Sequence, residues 1–204
     1  MMAMTQQSDA RHMQDVVKRS LSGDQSGYAE LFDTFGPGLY RLCYSLLLNR
    51  EDAEDIAQES FVYAFKNLYR YNSALSSFKT WLYTIAICRC RNLYRKHKTP
   101  TVDLNLLLNI GLPAPRSETP EAQLARREAK DAIEKSLAAL NPRLREAIVL
   151  RYGQGLTYRE IAEVMDCPPK TAESRVRLAH ETLRGMLGHH GQGLLDELLV
   201  WSTE

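Results

Sequence analysis

Arg89, Arg91, Arg95, Lys96 and Lys98 crowd the end of a stretch that opens with Phe78, Lys79, Trp81 and Tyr83. Cations in such a row neutralise phosphates and give an affinity that falls with salt. Aromatic rings can stack on unpaired bases, because every base has a π face. From Lys79 to Lys98 the chain carries Lys or Arg at six positions and no carboxylate, so the charge is segregated. A second group lies far away: Thr157 and Tyr158 open one short amphipathic stretch, and Lys170, Thr171, Ser174, Arg175 and Arg177 follow in another that starts near Pro169. A third group is acidic, with Asp52, Asp55 and Glu59 spaced i, i+3 and i+7 and therefore on one helical face, Gln58 beside them. This is the chemistry of binding a polyanion at two places and a basic partner at a third. No nucleophile, metal cluster or acid–base pair converges in the pattern.

Each group has a plainer reading. The acidic face can be a solvated surface or a docking surface; as a metal site, one helix without histidine offers too few ligands. Trp81 and Tyr83 can be core residues. The polar loop Tyr71-Asn72-Ser73-Ala74-Leu75-Ser76-Ser77 can make a pocket for an extruded base through Asn72 and Ser73, or simply connect two helices. The pair of segments at 157–186 can be an ordinary helical hairpin or a helix-turn-helix. For the latter, Thr157 caps the first helix and Glu160 completes a capping box. Asp166 takes the left-handed turn position, and Ala172, Val176, Ala179 and Leu183 face inward.

The elements that must position these groups are helical throughout. Apolar residues recur at helical spacing almost everywhere and strict alternation is nearly absent. The periodicity predicts helices near 11–21, 25–35, 38–48, 51–70 and 78–97, then near 121–139, 142–152, 157–164 and 169–186. Asn49 is a candidate N-cap for the acidic helix, and Asn141-Pro142 reads as a cap followed by proline at the first helical position. Between the halves, Pro100, Gly111, Pro113, Pro115 and Pro120 mark a linker, with Leu104–Ile110 as a short apolar run inside it.

A chain of 204 residues with net charge +1 is not globally basic, so DNA binding must come from segregated charge. No apolar run approaches a membrane span and Met1 to Gln14 lacks the core of a signal peptide, which predicts a cytoplasmic protein. Cys43, Cys88, Cys90 and Cys167 form no CxxC pair and have no histidine at zinc-ligand spacing. They read as reduced, mostly buried thiols, with no metal and no cofactor.

Four segments carry a family resemblance: Asp52-Ala53-Glu54-Asp55-Ile56-Ala57-Gln58-Glu59; Phe78-Lys79-Thr80-Trp81-Leu82-Tyr83-Thr84-Ile85-Ala86; Leu140-Asn141-Pro142-Arg143-Leu144-Arg145-Glu146; and the helix-turn-helix. With these the chain resembles the sigma-70 family, specifically the small extracytoplasmic-function (group IV) sigma factors, over roughly 25–98 and 121–186. The resemblance implies an all-α fold of two small helical domains, sigma domain 2 and a helix-turn-helix sigma domain 4, joined by a flexible linker. The divisions expected are an N-terminal segment 1–24, region 2 at 25–98, the linker at 99–120, region 4 at 121–187 and a tail at 188–204. It further implies that Asp52, Asp55, Gln58 and Glu59 dock on the clamp helices of the polymerase β′ subunit, with β as a further contact of the core RNA polymerase. Asn72, Ser73, Phe78, Lys79, Trp81, Arg89, Arg91, Arg95 and Lys96 are placed at the −10 element, and Thr157, Tyr158, Lys170, Thr171, Ser174, Arg175 and Arg177 at the −35 element. An anti-sigma factor is the implied regulator.

Departures from the family pattern accompany it. Leu82 stands where primary sigma factors carry a second tryptophan, which implies weaker melting, and Cys88 stands where asparagine is common. Glu173, Leu178, His180 and Glu181 occupy basic positions of the recognition helix. The tail residues Leu194, Leu195, Leu198, Leu199 and Trp201 can pack on domain 4, bind a regulator or cover the domain's own DNA face. A dissociable initiation subunit without catalytic chemistry fits these features. The alternative is a polymerase-independent helix-turn-helix regulator, and an enzyme acting on nucleic acid fits worst.

Overall fold

The computed structural model describes residues 2–96 and 131–187, with side chains from residue 12 onward; the linker, the start of the helix expected at 121–139 and the tail lie outside the described residues. All regular structure among the described residues is helical. In chain order the helices are α1 (Met2–Leu21), α2 (Gln25–Leu47), α3 (Arg50–Lys66), α4 (Phe78–Lys96), α5 (described over 131–139), α6 (Pro142–Ile148), α7 (Tyr158–Met165) and α8 (Pro169–Leu187). A 3₁₀ turn follows α3 at Leu68–Arg70, and α6 runs into a π-helical segment at Val149–Gly153.

The helix ends are set by side chains that satisfy orphan backbone groups. Asp24 accepts from Ser26 N at 2.9 Å to start α2, and Asn49 accepts from Asp52 N at 3.0 Å to start α3. Ser77 Oγ accepts from Thr80 N at 3.1 Å at the start of α4. α2 closes with Leu48 in the left-handed region at φ 55°, its N–H on Tyr44 O at 2.8 Å.

The periodicity predicts separate helices near 25–35 and 38–48, but α2 runs through Gly36-Pro37 as one helix. Proline inside a helix costs about 3 kcal/mol. Here apolar side chains on both sides of Pro37, among them Leu31, Leu39, Leu42 and Leu46, are fully buried. Each such burial is worth about 1.5–3 kcal/mol, which offsets the lost hydrogen bond. The acidic helix also ends earlier than the predicted 70, at Lys66, where the chain tightens to bury Leu68.

α1, α3 and α4 pack around α2, and the largest buried side chains of this half include Leu31, Leu39 and Leu42 from α2 with Phe78, Leu82, Tyr83 and Ile87 from α4. In the second half α6 and α7 both pack on α8 over Leu150, Ile161, Val176 and Leu183. The two halves do not stand apart. α7 packs against α4, and α6 with its π segment packs against α2, so the buried side chains form one continuous cluster.

Candidate polymerase and nucleic-acid interfaces

On α3 the buried face consists of Ala53, Ile56, Ala57, Ser60, Phe61 and Ala64. The opposite face exposes Asp55, Gln58 and Glu59, with Asp52 half-buried. Glu54 is spent on Arg50 at 2.8 Å. Glu59 accepts from Arg89 at 2.7 Å, and the same guanidinium lies 5.3 Å from the centre of the Tyr63 ring. The sequence therefore presents a carboxylate face, and part of it is already matched by a cation from α4.

On α4 the candidate DNA-binding residues divide. Asn72 and Ser73 are exposed in the preceding loop, where Asn72 Oδ1 accepts from Ala74 N at 2.9 Å. Phe78 is a correction: at 1% exposure it is core, its ring 5.1 Å from Phe35, 5.6 Å from Tyr71 and 5.8 Å from Trp81. It carries the apolar seam between α2 and α4 and has no free face for a base. Tyr83, 1% exposed, is core as well. Trp81 keeps a half-buried ring against Tyr71 at 5.5 Å. Arg95 and Lys96 are exposed at the end of α4.

Lys79 and Arg91 are turned toward the second half of the molecule. Lys79 Nζ donates to Gln154 O at 2.6 Å. Burial holds its ammonium below the usual lysine range, with Glu160 opposing and Arg41 reinforcing that shift. Arg91 grips Glu146 with Nε at 3.0 Å and Nη2 at 2.7 Å, a forked geometry that only guanidinium supplies. Its side chain is 17% exposed and that of Glu146 is 2% exposed. Neither is offered to phosphate in this arrangement, contrary to the sequence-based expectation.

In the second half, Thr157 Oγ1 accepts from Glu160 N at 3.3 Å while Thr157 N donates to Glu160 Oε2 at 2.8 Å, a complete capping box. Asp166 takes φ 53° at the turn. Thr157 thus uses its hydroxyl on its own helix. Tyr158 is exposed, with the Arg151 guanidinium 4.9 Å from its ring centre. On α8 the buried stripe is Ala172, Val176, Ala179 and Leu183. Lys170, Glu173, Ser174 and Arg177 are exposed, and Thr171 and Arg175 are half-buried. Arg177 is paired with Glu181 at 3.0 Å. Two α-helices joined by a tight left-handed turn, the second offering a polar outer face, match what a major groove admits.

Residues 31–99 match the family Sigma-70 region 2, and residues 130–183 match Sigma-70, region 4. The chain is 32% identical over 177 residues to the ECF RNA polymerase sigma factor SigW of Bacillus subtilis, covering 84% of this chain and 94% of that protein. The chain belongs to the sigma-70 family. Within it, the relatives place it among the extracytoplasmic-function sigma factors, and it is an RNA polymerase sigma factor of transcription initiation. It is also 30% identical over 186 residues to the RNA polymerase sigma-H factor of Pseudomonas aeruginosa, covering 88% of this chain and 94% of that one. Its fold is similar to that of CnrH solved in complex with the cytosolic domain of CnrY, with TM-score 0.64, 24% identity, and 84% and 94% of the two chains covered. The sigma factor RpoE solved with the anti-sigma factor NepR from Bartonella quintana gives TM-score 0.61 at 24% identity, covering 78% of this chain and 96% of that one.

Sequence reasoning missed the residues of this sigma factor that join its halves. Tyr83 Oη donates to Gln154 Oε1 at 2.7 Å. Arg145, 2% exposed, sends Nη1 to Leu46 O at 2.7 Å and Nη2 to Ala138 O at 2.8 Å. Leu46 O lies in the last turn of α2, where carbonyls lack helical partners and no basic residue of α2 is present. A cation from α6 fills that role, with Tyr94 Oη donating to the same oxygen. The signal was present in Arg145-Glu146-Ala147-Ile148-Val149-Leu150, where two charges adjoin an unbroken apolar run. Among the cysteines, Cys43 and Cys90 are buried and Cys167 is half-buried, while Cys88 is exposed. No described helix is long and apolar enough to cross a membrane.

Proposed function

We propose that this sigma factor directs promoter-specific initiation by docking on core RNA polymerase through α3 and by presenting α4 and α8 to two promoter elements, with single-strand capture at the first aiding melting. The observation that carries the reading is the pairing of an exposed Asp55–Gln58 face on α3 with a capped helix-turn-helix whose second helix exposes Lys170 and Ser174. The acidic face suits a basic partner helix, and the exposed polar row suits a duplex groove. Trp81, Arg95 and Lys96 are the α4 residues best placed to meet a melted strand, with Asn72 and Ser73 forming the loop beside them. The protein works in the cytoplasm, where polymerase and promoter are.

An anti-sigma factor completes the reading. Two solved relatives of this fold were captured with a partner chain, CnrH with the cytosolic domain of CnrY and RpoE with NepR. The exposed α3 face is the surface such a partner has to cover to keep polymerase away.

The test is binding to purified core polymerase, followed by selection of promoter fragments by the resulting holoenzyme. Tight binding and recovery of one shared two-element motif are expected. Specific duplex binding that needs no polymerase would instead make the chain a stand-alone regulator.

A further inference from the structure

The outer face of α8 changes character along its length. Toward its start Lys170 and Ser174 are exposed, as duplex reading requires. Positions four apart share one row on a helix, and this row continues through Leu178, Thr182 and Met186. Leu178 is 50% exposed and Met186 is 47% exposed. Thr182 Oγ1 donates to Leu178 O at 2.7 Å, which spends its hydroxyl on its own helix. Beside the row Gly185 leaves a notch: among the described residues, a Cβ there would meet nothing within 4 Å. An apolar row rimmed by polar groups marks a docking surface.

The chain carries a segment that matches it. Residues 188–204 lie outside the described residues, but in sequence Leu194, Leu195, Leu198, Leu199 and Trp201 recur at helical spacing. As a helix, 194–201 would rise about 11 Å, and the row from Leu178 to Met186 runs about 12 Å. The connector 188–193 contains Gly188, Gly191 and Gly193 and has a length that ordinarily joins antiparallel helices. So short a tether holds the segment at about millimolar effective concentration, and even weak docking is then populated. Charge agrees. From 185 onward the chain has no Lys or Arg and carries Asp196, Glu197 and Glu204. α8 carries Lys170, Arg175, Arg177 and Arg184 against Glu173 and Glu181. A second copy of this chain on the same row would instead bring like charges together.

We propose that segment 194–201 docks antiparallel along the Leu178, Thr182 and Met186 row and forms an acidic cover on the duplex-reading helix. In this direction Leu194 meets Met186, Trp201 meets Leu178, and Glu204 reaches the level of Ser174 and Arg175. The tail carboxylates then compete with phosphate for the α8 cations, so duplex binding is restrained until the tail is displaced. The effect on duplex binding rests on the proposed function; the docking does not.

Trp81 and Trp201 are the two tryptophans of the chain, so Trp81→Phe leaves the indole emission to Trp201. In that background the full chain is expected to give a blue-shifted emission that is independent of protein concentration. Leu178→Gln/Met186→Gln, at two exposed positions, should shift it to that of a solvated indole, with helicity by circular dichroism unchanged. Separately, Asp196→Asn/Glu197→Gln/Glu204→Gln in the otherwise unaltered chain should tighten duplex binding by the holoenzyme about fivefold at low salt, the gain fading at high salt. A solvated Trp201 above an unaltered row overturns the docking. So does an emission indifferent to the row substitutions, or one that varies with concentration and so marks a second copy. Duplex affinity unmoved by neutralising the tail overturns the cover. Failure of the chain to bind core polymerase removes the proposed function, while the emission still decides the docking.

Discussion

Asp55 and Gln58 stand exposed on α3 with their backbone fixed by buried neighbours, so replacing them changes a surface and not a core. Asp55→Arg with Gln58→Ala is expected to weaken core-polymerase binding at least about a hundredfold, as charge reversal against a basic partner does. Unaltered helicity and lost affinity in a titration would place the docking face there, and retained affinity would remove it. Glu173 is the other residue whose charge is informative. It is exposed in the second turn of α8, where a carboxylate repels phosphates. Glu173→Lys is expected to raise duplex affinity of the holoenzyme and steepen its log–log salt slope by about one; an unchanged slope would turn that face away from DNA. At this scale the sequence was partly legible. Types and spacing revealed the exposed carboxylates and the outer row of α8. Phe78 misled, because a ring beside a basic run reads the same whether it faces a base or, as here, Phe35 and Tyr71.

The elements were legible where local chemistry sets them. Asn49, Asn141 and Thr157 with Glu160 are caps that sequence alone marks, and each makes its expected bond. Removing the Thr157 cap by Thr157→Ala is expected to cost about 1 kcal/mol. That is a fall in melting temperature of about 2–4 °C for a chain of this size, measured by thermal circular dichroism, and no fall would deny the capping box its role. Gly36-Pro37-Gly38 defeated local reading because burial on either side outweighs one missing donor. The π-helical turn at Val149–Gly153 defeated it too. Nothing in Val149-Leu150-Arg151-Tyr152-Gly153 distinguishes it from ordinary helix, yet this turn delivers Gln154 to the seam between the halves.

At the scale of the whole molecule, patterning showed two helical groups and a proline-marked break, and it could not show that they close on each other. Arg145 and Glu146 look like surface charges in a sequence; only the arrival of Leu46 O and Arg91 from about a hundred and about fifty residues away makes them interior. The expected behaviour follows from the bonds across that seam. A single proteolytic nick between 97 and 130 should leave two fragments that still co-elute on size exclusion at low salt. They should separate when Glu146→Gln/Gln154→Ala weakens the seam. Fragments that part in the wild type would mean the halves are held only by their tether.

The pair of Arg89 and Glu59 has a consequence for how the proposed bindings combine. One partner belongs to the face assigned to polymerase and the other to the face assigned to promoter, and at 2.7 Å each occupies the other. Whatever claims the carboxylate liberates the guanidinium. The two affinities are therefore thermodynamically linked, and linkage is reciprocal: promoter must tighten polymerase binding by the same factor by which polymerase tightens promoter binding. An exposed contact of this kind makes that factor small, a few-fold at most. It nonetheless gives the assembly a preferred direction, toward the ternary complex and away from either binary one.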